Sequence, residues 1–173
     1  INYSDPNNGT ISDGSTLKEI EILQLISGSG NDNIDVSATN AYRDYDPGPY
    51  SWQVNIFGNN IYGGAGNDLI NSGSAADHLF GQEGDDTLQG NEGSDGIWGG
   101  EGNDGLIAGV GDDALYGEAG NDNLNTGVGN DYLEGGEGND TLDAGEGDDH
   151  IVPGTGVHQI IGGAGTDFLD LNY

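Results

Sequence analysis

Aspartates recur every nine residues through most of this chain. Asp68, Asp77 and Asp86 begin a series that continues at this spacing to Asp149, and Asp167 falls in the same register. Carboxylate and carbonyl oxygens without nitrogen or sulfur donors favour a hard cation, and flexible coordination by six or more oxygens favours Ca²⁺ over Mg²⁺. The chain has no cysteine, which excludes disulfides and thiolate–metal sites. The spacing therefore predicts a regular series of calcium ligands.

The aspartates belong to a nine-residue repeat that runs from Gly63 to Asp170 without insertion or deletion. Twelve units fit this register, and residues 99–107 (GGEGNDGLI) are a clean copy. Position 8 is Ile or Leu in all twelve units, position 6 is Asp in eleven and position 4 is Gly in eleven. Glycine permits the positive φ angles of tight turns, and a lone aliphatic among polar or small residues is typical of a short strand with one inward side chain. Each unit is predicted to form one turn and one strand.

Two units are expected to close one coil of 18 residues. Position 1 is mostly glycine in odd units and mostly Ser, Ala or Thr in even units, which indicates two different faces. Stacked coils place position-6 carboxylates about one strand spacing (~4.8 Å) apart, where they repel unless cations intervene. An earlier copy at 27–35 adds Asp32 if residues 36–62 keep the register. The remaining predicted ligands are Asp68, Asp86, Asp104, Asp122 and Asp140 at one edge, and Asp77, Asp95, Asp113, Asp131, Asp149 and Asp167 at the other.

The composition excludes several classes of function. Asp and Glu number 31 against two Lys plus Arg, which gives a formal net charge of -29. This sign opposes binding to nucleic acids and anionic membranes. So high a charge with low hydrophobicity is typical of disorder, so we expect folding only when cations neutralise the acids. No Ser–His–Asp set or HExxH motif is visible, and we expect no enzymatic activity and no catalytic residues.

The unit GGxGxDxUx, where U is a large aliphatic residue, resembles the nonapeptide of the RTX (repeats-in-toxin, haemolysin-type) family. The resemblance implies an all-β fold, a right-handed parallel β-roll that binds one Ca²⁺ between successive turns at each edge. Its ligands would be the position-6 side chains and turn carbonyls, which gives about eight to ten Ca²⁺ in this chain. His158 and Val157 depart from the pattern beside Asp140, and Ser72 and Ala75 weaken the site at Asp77.

The same resemblance implies a non-catalytic module of a secreted bacterial protein. Such a chain is exported unfolded by type I secretion and folds in the millimolar calcium outside the cell, free or at the cell surface. Modules of this kind accompany larger secreted enzymes, toxins and adhesins. Because the chain begins at Ile1 without an initiator Met, we expect it to be part of a longer protein.

Three aromatic residues, Phe80, Trp98 and Tyr116, occupy position 9 of one face in consecutive coils. Small neighbours at 96 and 114 are expected to leave the rings exposed, which is a usual sign of a contact surface. Either residues 36–62 or the N-terminal segment cover this strip, or it binds a glycan or cell-surface partner as an adhesive. Ice binding is disfavoured because position 3 carries Glu, Ala and Val instead of an outward row of Thr or Asn.

Three regions are predicted. Residues 1–62 form an N-terminal β cap with the initial coils, and 36–62 is a divergent aromatic segment within it. Residues 63–170 form the roll, and 171–173 are a truncated C-terminal end. The cap is assigned because a solenoid needs its end covered. No apolar stretch approaches the roughly 20 residues needed to span a bilayer.

Overall fold

The computed structural model describes residues 24–26, 30–31, 33–35 and 58–172. Within these ranges every regular element is a β-strand. The strands, in chain order, are β1 Gln24–Ile26, β2 Asn33–Asp35, β3 Asn60–Ala65, β4 Leu69–Asn71, β5 His78–Glu83, β6 Thr87–Glu92, β7 Gly96–Glu101, β8 Gly105–Val110, β9 Ala114–Ala119, β10 Asn123–Val128, β11 Tyr132–Glu137, β12 Thr141–Asp143, β13 His150–Thr155, β14 Gln159–Ile161 and β15 Phe168–Leu169.

The chain coils between two parallel sheets. Odd-numbered strands form sheet A and even-numbered strands form sheet B, and each strand pairs with the next one of its own sheet. From β3 onward the paired residues are 18 apart, as in Leu79 with Ile97 and Ile97 with Leu115. The predicted all-β parallel β-roll with two nine-residue units per coil is confirmed.

One pairing departs from this offset. β1 pairs directly with β3 and β2 with β4, so that Leu25 faces Ile61 and Ile34 faces Ile70 across 36 residues. Within the described residues, β1 and β2 are therefore the immediate neighbours of β3 and β4 in their sheets. The predicted divergent segment at 36–62 lies outside the described residues from 36 to 57.

The core is a double column of aliphatic side chains. From Ile61 to Ile151 the position-8 residue of each coil points inward from its sheet, because side chains alternate across a strand. These side chains are no more than 1% exposed from Ile61 to Ile151. Ala108 and Ala144, at position 1 of two even units, are also fully buried.

Close stacking explains the glycine at position 4. A Cβ added at Gly84 or Gly111 would overlap the carbonyl group of the position-4 residue one coil earlier, and both glycines have positive φ. Position 2 also needs positive φ, and Gln82, Asn91 and Glu118 adopt it at 86°, 77° and 72° although they are not glycine. Such conformations cost non-glycine residues about 1 kcal/mol or more each.

Replacing a central core residue should cost far more than replacing its terminal counterpart. We expect Leu106→Ala to lower the free energy of unfolding by about 2–5 kcal/mol, because Leu106 is 0% exposed and the substitution leaves a cavity. Leu169 occupies the same repeat position but is 44% exposed, so Leu169→Ala should cost clearly less. Urea unfolding in excess calcium measures both, and equal losses would contradict the core assignment.

Candidate metal centre

Two columns of buried aspartates follow the two edges of the roll. The first edge, where the chain passes from sheet A to sheet B, carries the column that begins at Asp68. The second edge, from sheet B to sheet A, carries the column that begins at Asp77. From Asp68 to Asp149 every position-6 aspartate is at most 3% exposed, whereas Asp167 is exposed. Burying so many carboxylates is costly without compensating partners.

From Asp77 onward, one oxygen of each column carboxylate accepts a hydrogen bond from the backbone of the preceding coil. The N–H of Asp86 donates to Oδ1 of Asp104 at 2.8 Å, and the N–H of Asp95 donates to Oδ1 of Asp113 at 2.7 Å. The bond repeats along both columns and lengthens to 3.3 Å at Asp149–Asp167. The carboxylates are therefore held in one orientation relative to the coil axis.

The second oxygen, Oδ2, is buried without a hydrogen-bond partner in seven aspartates whose side chains make no ion pair. These are Asp86, Asp95, Asp104, Asp113, Asp122, Asp131 and Asp149. A buried carboxylate oxygen left unsatisfied in coil after coil points to a ligand that supplies the missing positive charge.

The surroundings of these oxygens fit a calcium ion. A Cβ added at Gly117 would lie 2.6 Å from Oδ2 of Asp122, and one added at Gly99 would lie 2.9 Å from the carbonyl oxygen of Gly117. We call this space over the position-1 α-carbon the cradle. A cation that bound both oxygens would lie beyond this point, because the Cβ position is only one C–C bond from the α-carbon, whereas a side chain at position 1 would press on both oxygens. No three His, Asp or Glu side chains converge in the described ranges.

Burial also changes the acidity of the columns. It raises the pKa of Asp95 and Asp122 to about 7 and of Asp86 and Asp113 to about 6. The N–H donated to each carboxylate opposes the rise, while neighbouring carboxylates such as Asp104 beside Asp122 add to it. Without a cation, these buried carboxyl groups therefore bind protons more readily than free aspartates do.

The columns end differently at the two edges. On the first edge His158 replaces aspartate, and its Nδ1 accepts from the N–H of Asp140 at 3.2 Å while lying 3.2 Å from Oδ2 of the same residue. On the second edge the N–H of Asn59 donates to Oδ1 of Asp77 at 2.6 Å, and Gly73 N–H donates to Oδ2 of Asp77 at 3.2 Å. An imidazole and a backbone N–H thus lie within hydrogen-bond distance of Oδ2 at these two ends, whereas Oδ2 has no such partner in the seven aspartates named above. Asp32, the remaining predicted ligand, lies outside the described residues.

A second ladder, at position 5, escaped sequence reasoning. Side-chain Oδ1 atoms of Asn103 and Asn121 accept from the N–H of the residue one coil later, at 3.0 Å in both cases. The second edge has the same ladder through Asp112 and Asn130. The frequent Asn or Asp at position 5 was a signal for it. These bonds run opposite to the position-6 bonds, so each inner turn is tied to both neighbours.

The predicted aromatic strip is one part of a longer stack on sheet A. Phe80 and Trp98 stack with ring centroids 4.7 Å apart and planes 11° apart, and Trp98 and Tyr116 follow at 5.2 Å and 5°. Tyr62 precedes them, and Tyr132, His150 and Phe168 continue the series in tilted or edge contacts. The three predicted rings are half-buried, not exposed, because they cover one another.

The Trp98 ring also lies against the backbone at Gly96, where a Cβ would come within 2.7 Å of the ring. Because the faces of the stacked rings pack against one another, the strip exposes mainly ring edges. This arrangement favours a stabilising role. Binding of a glycan or cell-surface partner stays a prediction.

Comparison with protein families agrees with this geometry. The family model for the RTX calcium-binding nonapeptide repeat matches four times, at residues 55–88, 72–106, 98–133 and 125–157. These matches span more than half of the chain. The chain belongs to the RTX calcium-binding repeat family. Searches of curated proteins and of solved structures give no match.

The RTX roll without calcium should lose stability as pH rises. Four column aspartates, Asp86, Asp95, Asp113 and Asp122, have pKa values of about 6 to 7 when folded and about 3.8 when unfolded, so protons favour the fold. This contribution is fully present below about pH 4 and is lost as pH rises through about 6 to 7. Circular dichroism in calcium-free buffer should therefore show more β-structure at about pH 4 than at about pH 8.

Asp122→Asn provides the matched test at neutral pH. It removes a buried charge and should increase calcium-free β-structure, whereas Glu101→Gln removes an exposed charge and should change it less. Equal effects of the two substitutions would show that net charge alone controls folding.

Proposed function

We propose that this chain is a non-catalytic RTX module of a secreted bacterial protein, and that it folds when it binds calcium outside the cell. The observation that carries the proposal is the pair of buried carboxylate columns in which Oδ2 lacks a partner in successive coils. Family membership supports calcium as the ligand.

The position-6 aspartates would hold the ions together with turn carbonyls. A bound Ca²⁺ supplies positive charge between carboxylates that otherwise repel one another. The chain itself contributes orientation, since the backbone N–H bonds fix Oδ1 and leave Oδ2 for the cation. Eight to ten ions would change the formal net charge from -29 to between -13 and -9.

Folding that depends on calcium would allow the chain to be exported unfolded. At cytosolic calcium, repulsion would keep the chain expanded, and at millimolar calcium outside the cell the columns would be neutralised. Type I secretion and a bacterial extracellular or cell-surface location are proposed on this basis. In the described residues no helix is long and apolar enough to cross a membrane.

Calcium should switch the fold at neutral pH. We expect disordered circular dichroism in EDTA and a β-rich spectrum in millimolar Ca²⁺, because cations must offset the carboxylate columns. Trp98, stacked between Phe80 and Tyr116, provides a second readout by fluorescence in a Trp52→Phe background. Mg²⁺ and NaCl at matched ionic strength are the controls, and a β-rich chain in EDTA would rule out calcium-dependent folding.

The effect of replacing a column aspartate should depend on where that aspartate lies along the roll. Asp104 and Asp113 lie mid-array, and each contacts the coil before and the coil after it. Asp167 is exposed and serves one neighbour through a 3.3 Å bond. We expect Asp104→Ala and Asp113→Ala to raise the calcium needed for folding clearly more than Asp167→Ala.

Calcium titrations followed by circular dichroism measure this order. If Asp167→Ala were the most damaging of the three, nucleation from the C-terminal end would replace the nearest-neighbour description.

A further inference from the structure

The two edges of the roll differ at position 1, next to the carboxylates. On the first edge this position is glycine from Gly63 to Gly135 in every odd unit. On the second edge it is Ser72, Gly90, Ala108, Thr126, Ala144 and Gly162. Because the cradle lies over this α-carbon, the residue at position 1 determines whether the cradle is open.

On the first edge every cradle is bounded by two oxygens. At Gly135 an added Cβ would lie 2.6 Å from Oδ2 of Asp140, with the carbonyl oxygen of Pro153 on its other side. Gly63, Gly81, Gly99 and Gly117 have the same pair of walls, an Oδ2 from their own unit and a carbonyl from one coil later. Gly135 differs from the other four in one respect, because Oδ2 of Asp140 also lies 3.2 Å from Nδ1 of His158.

The φ angles show that the backbone conformation does not require glycine at position 1 of the first edge. Position-1 glycines on the first edge do not have positive φ, in contrast to the glycines at positions 2 and 4. Alanine could adopt their backbone conformation without strain. Their glycine therefore reflects the space over the α-carbon and not the geometry of the turn.

On the second edge, side chains fill most of this space. The Thr126 hydroxyl donates to the carbonyl oxygen of Ala144 at 2.8 Å, and the Ser72 hydroxyl donates to the carbonyl oxygen of Gly90 at 2.8 Å. They are equivalent to the position-1 carbonyls, such as that of Gly117, that bound the cradles on the first edge. Ala108 and Ala144 place a buried methyl group at the same position.

Two cradles on the second edge keep glycine. At Gly90 the walls are Oδ2 of Asp95 and the carbonyl oxygen of Ala108, which is the first-edge arrangement. At Gly162 the nearest atoms all belong to Asp167, and no carbonyl of a following coil closes the space. Only Gly90 therefore provides a complete open cradle on this edge.

We propose that the residue at position 1 sets calcium affinity, so that the glycine cradles bind tightly and the filled cradles bind weakly. This rests on the proposed calcium function and divides its sites into two classes. Six cradles, at Gly63, Gly81, Gly90, Gly99, Gly117 and Gly135, form the tight class. Five of them lie on the first edge, so calcium loads that edge first as its concentration rises.

A matched pair of substitutions tests the proposal. Gly99→Ala fills a first-edge cradle, and Ala108→Gly opens the neighbouring one on the second edge. By isothermal titration calorimetry and equilibrium dialysis with ⁴⁵Ca²⁺, we expect about six tight ions in the unmodified chain. Gly99→Ala should lose one tight ion and Ala108→Gly should gain one.

A packing role gives a different pattern. Ala108 is fully buried, so its loss should weaken the fold if position 1 only fills the core. Both substitutions would then raise the calcium needed for folding and neither would add a tight ion, which would overturn the proposal. If Gly99→Ala does not fold, Ala144→Gly repeats the gain-of-site test. Thr126→Ala keeps the Cβ and is expected to leave the cradle filled.

The outcomes separate the two proposals. Absence of any calcium binding would reject the proposed function itself. Calcium-dependent folding with one class of sites, unchanged by Gly99→Ala and Ala108→Gly, would reject only the difference between the edges.

Discussion

Each coil of this roll must hold its buried aspartates one strand spacing from those of the next coil. Parallel pairing at an offset of 18 residues fixes that distance, because the strands and the turns advance together. Like charges so close together in a buried setting oppose the very stacking that buries the aliphatic core. Burial, and to a smaller degree the neighbouring carboxylates, raise the pKa of Asp95 and Asp122 to about 7. A cation between the carboxylates would offset both the burial of charge and the repulsion.

Hydrogen bonds hold each turn against the coil before it and the coil after it. Position 6 accepts the N–H of the preceding coil, and position 5 accepts the N–H of the following coil, as Asp122 and Asn121 do in one turn. Such paired bonds leave little freedom for a turn to move relative to its neighbours. Glycine at position 4 lets the carbonyl of one coil approach the α-carbon of the next, which side chains would prevent at Gly111. Rigidity of this kind preorganises oxygens for a cation.

Sequence periodicity predicted what depends on a single repeated position. The inward Leu106, the 18-residue coil and the aspartate columns all follow from counting residues along a chain without insertions. Features that depend on which neighbour a side chain meets were not predictable in this way. The aromatic stack moves from position 9 at Tyr116 to position 7 at Tyr132, since both positions point to the same side of a strand. His158 can take the place of an aspartate in the column because its Nδ1 accepts a hydrogen bond from a backbone N–H, as a carboxylate oxygen does in other coils.

The coil at 24–35 and the coil at 60–71 meet as ordinary neighbours, although four repeat lengths separate them in the chain. Gly30 N–H donates to the carbonyl of Ala65 across that join, and Asn31 accepts from the N–H of Asn67. The chain between β2 of sheet B and β3 of sheet A is therefore longer than between the other consecutive strands, and both sheets keep their register. Lengthening a connection costs entropy that grows only with the logarithm of its length. A solenoid of this design can thus acquire a new segment at an edge while both sheets keep their register, so the repeat acts as a frame in which other sequences can be inserted.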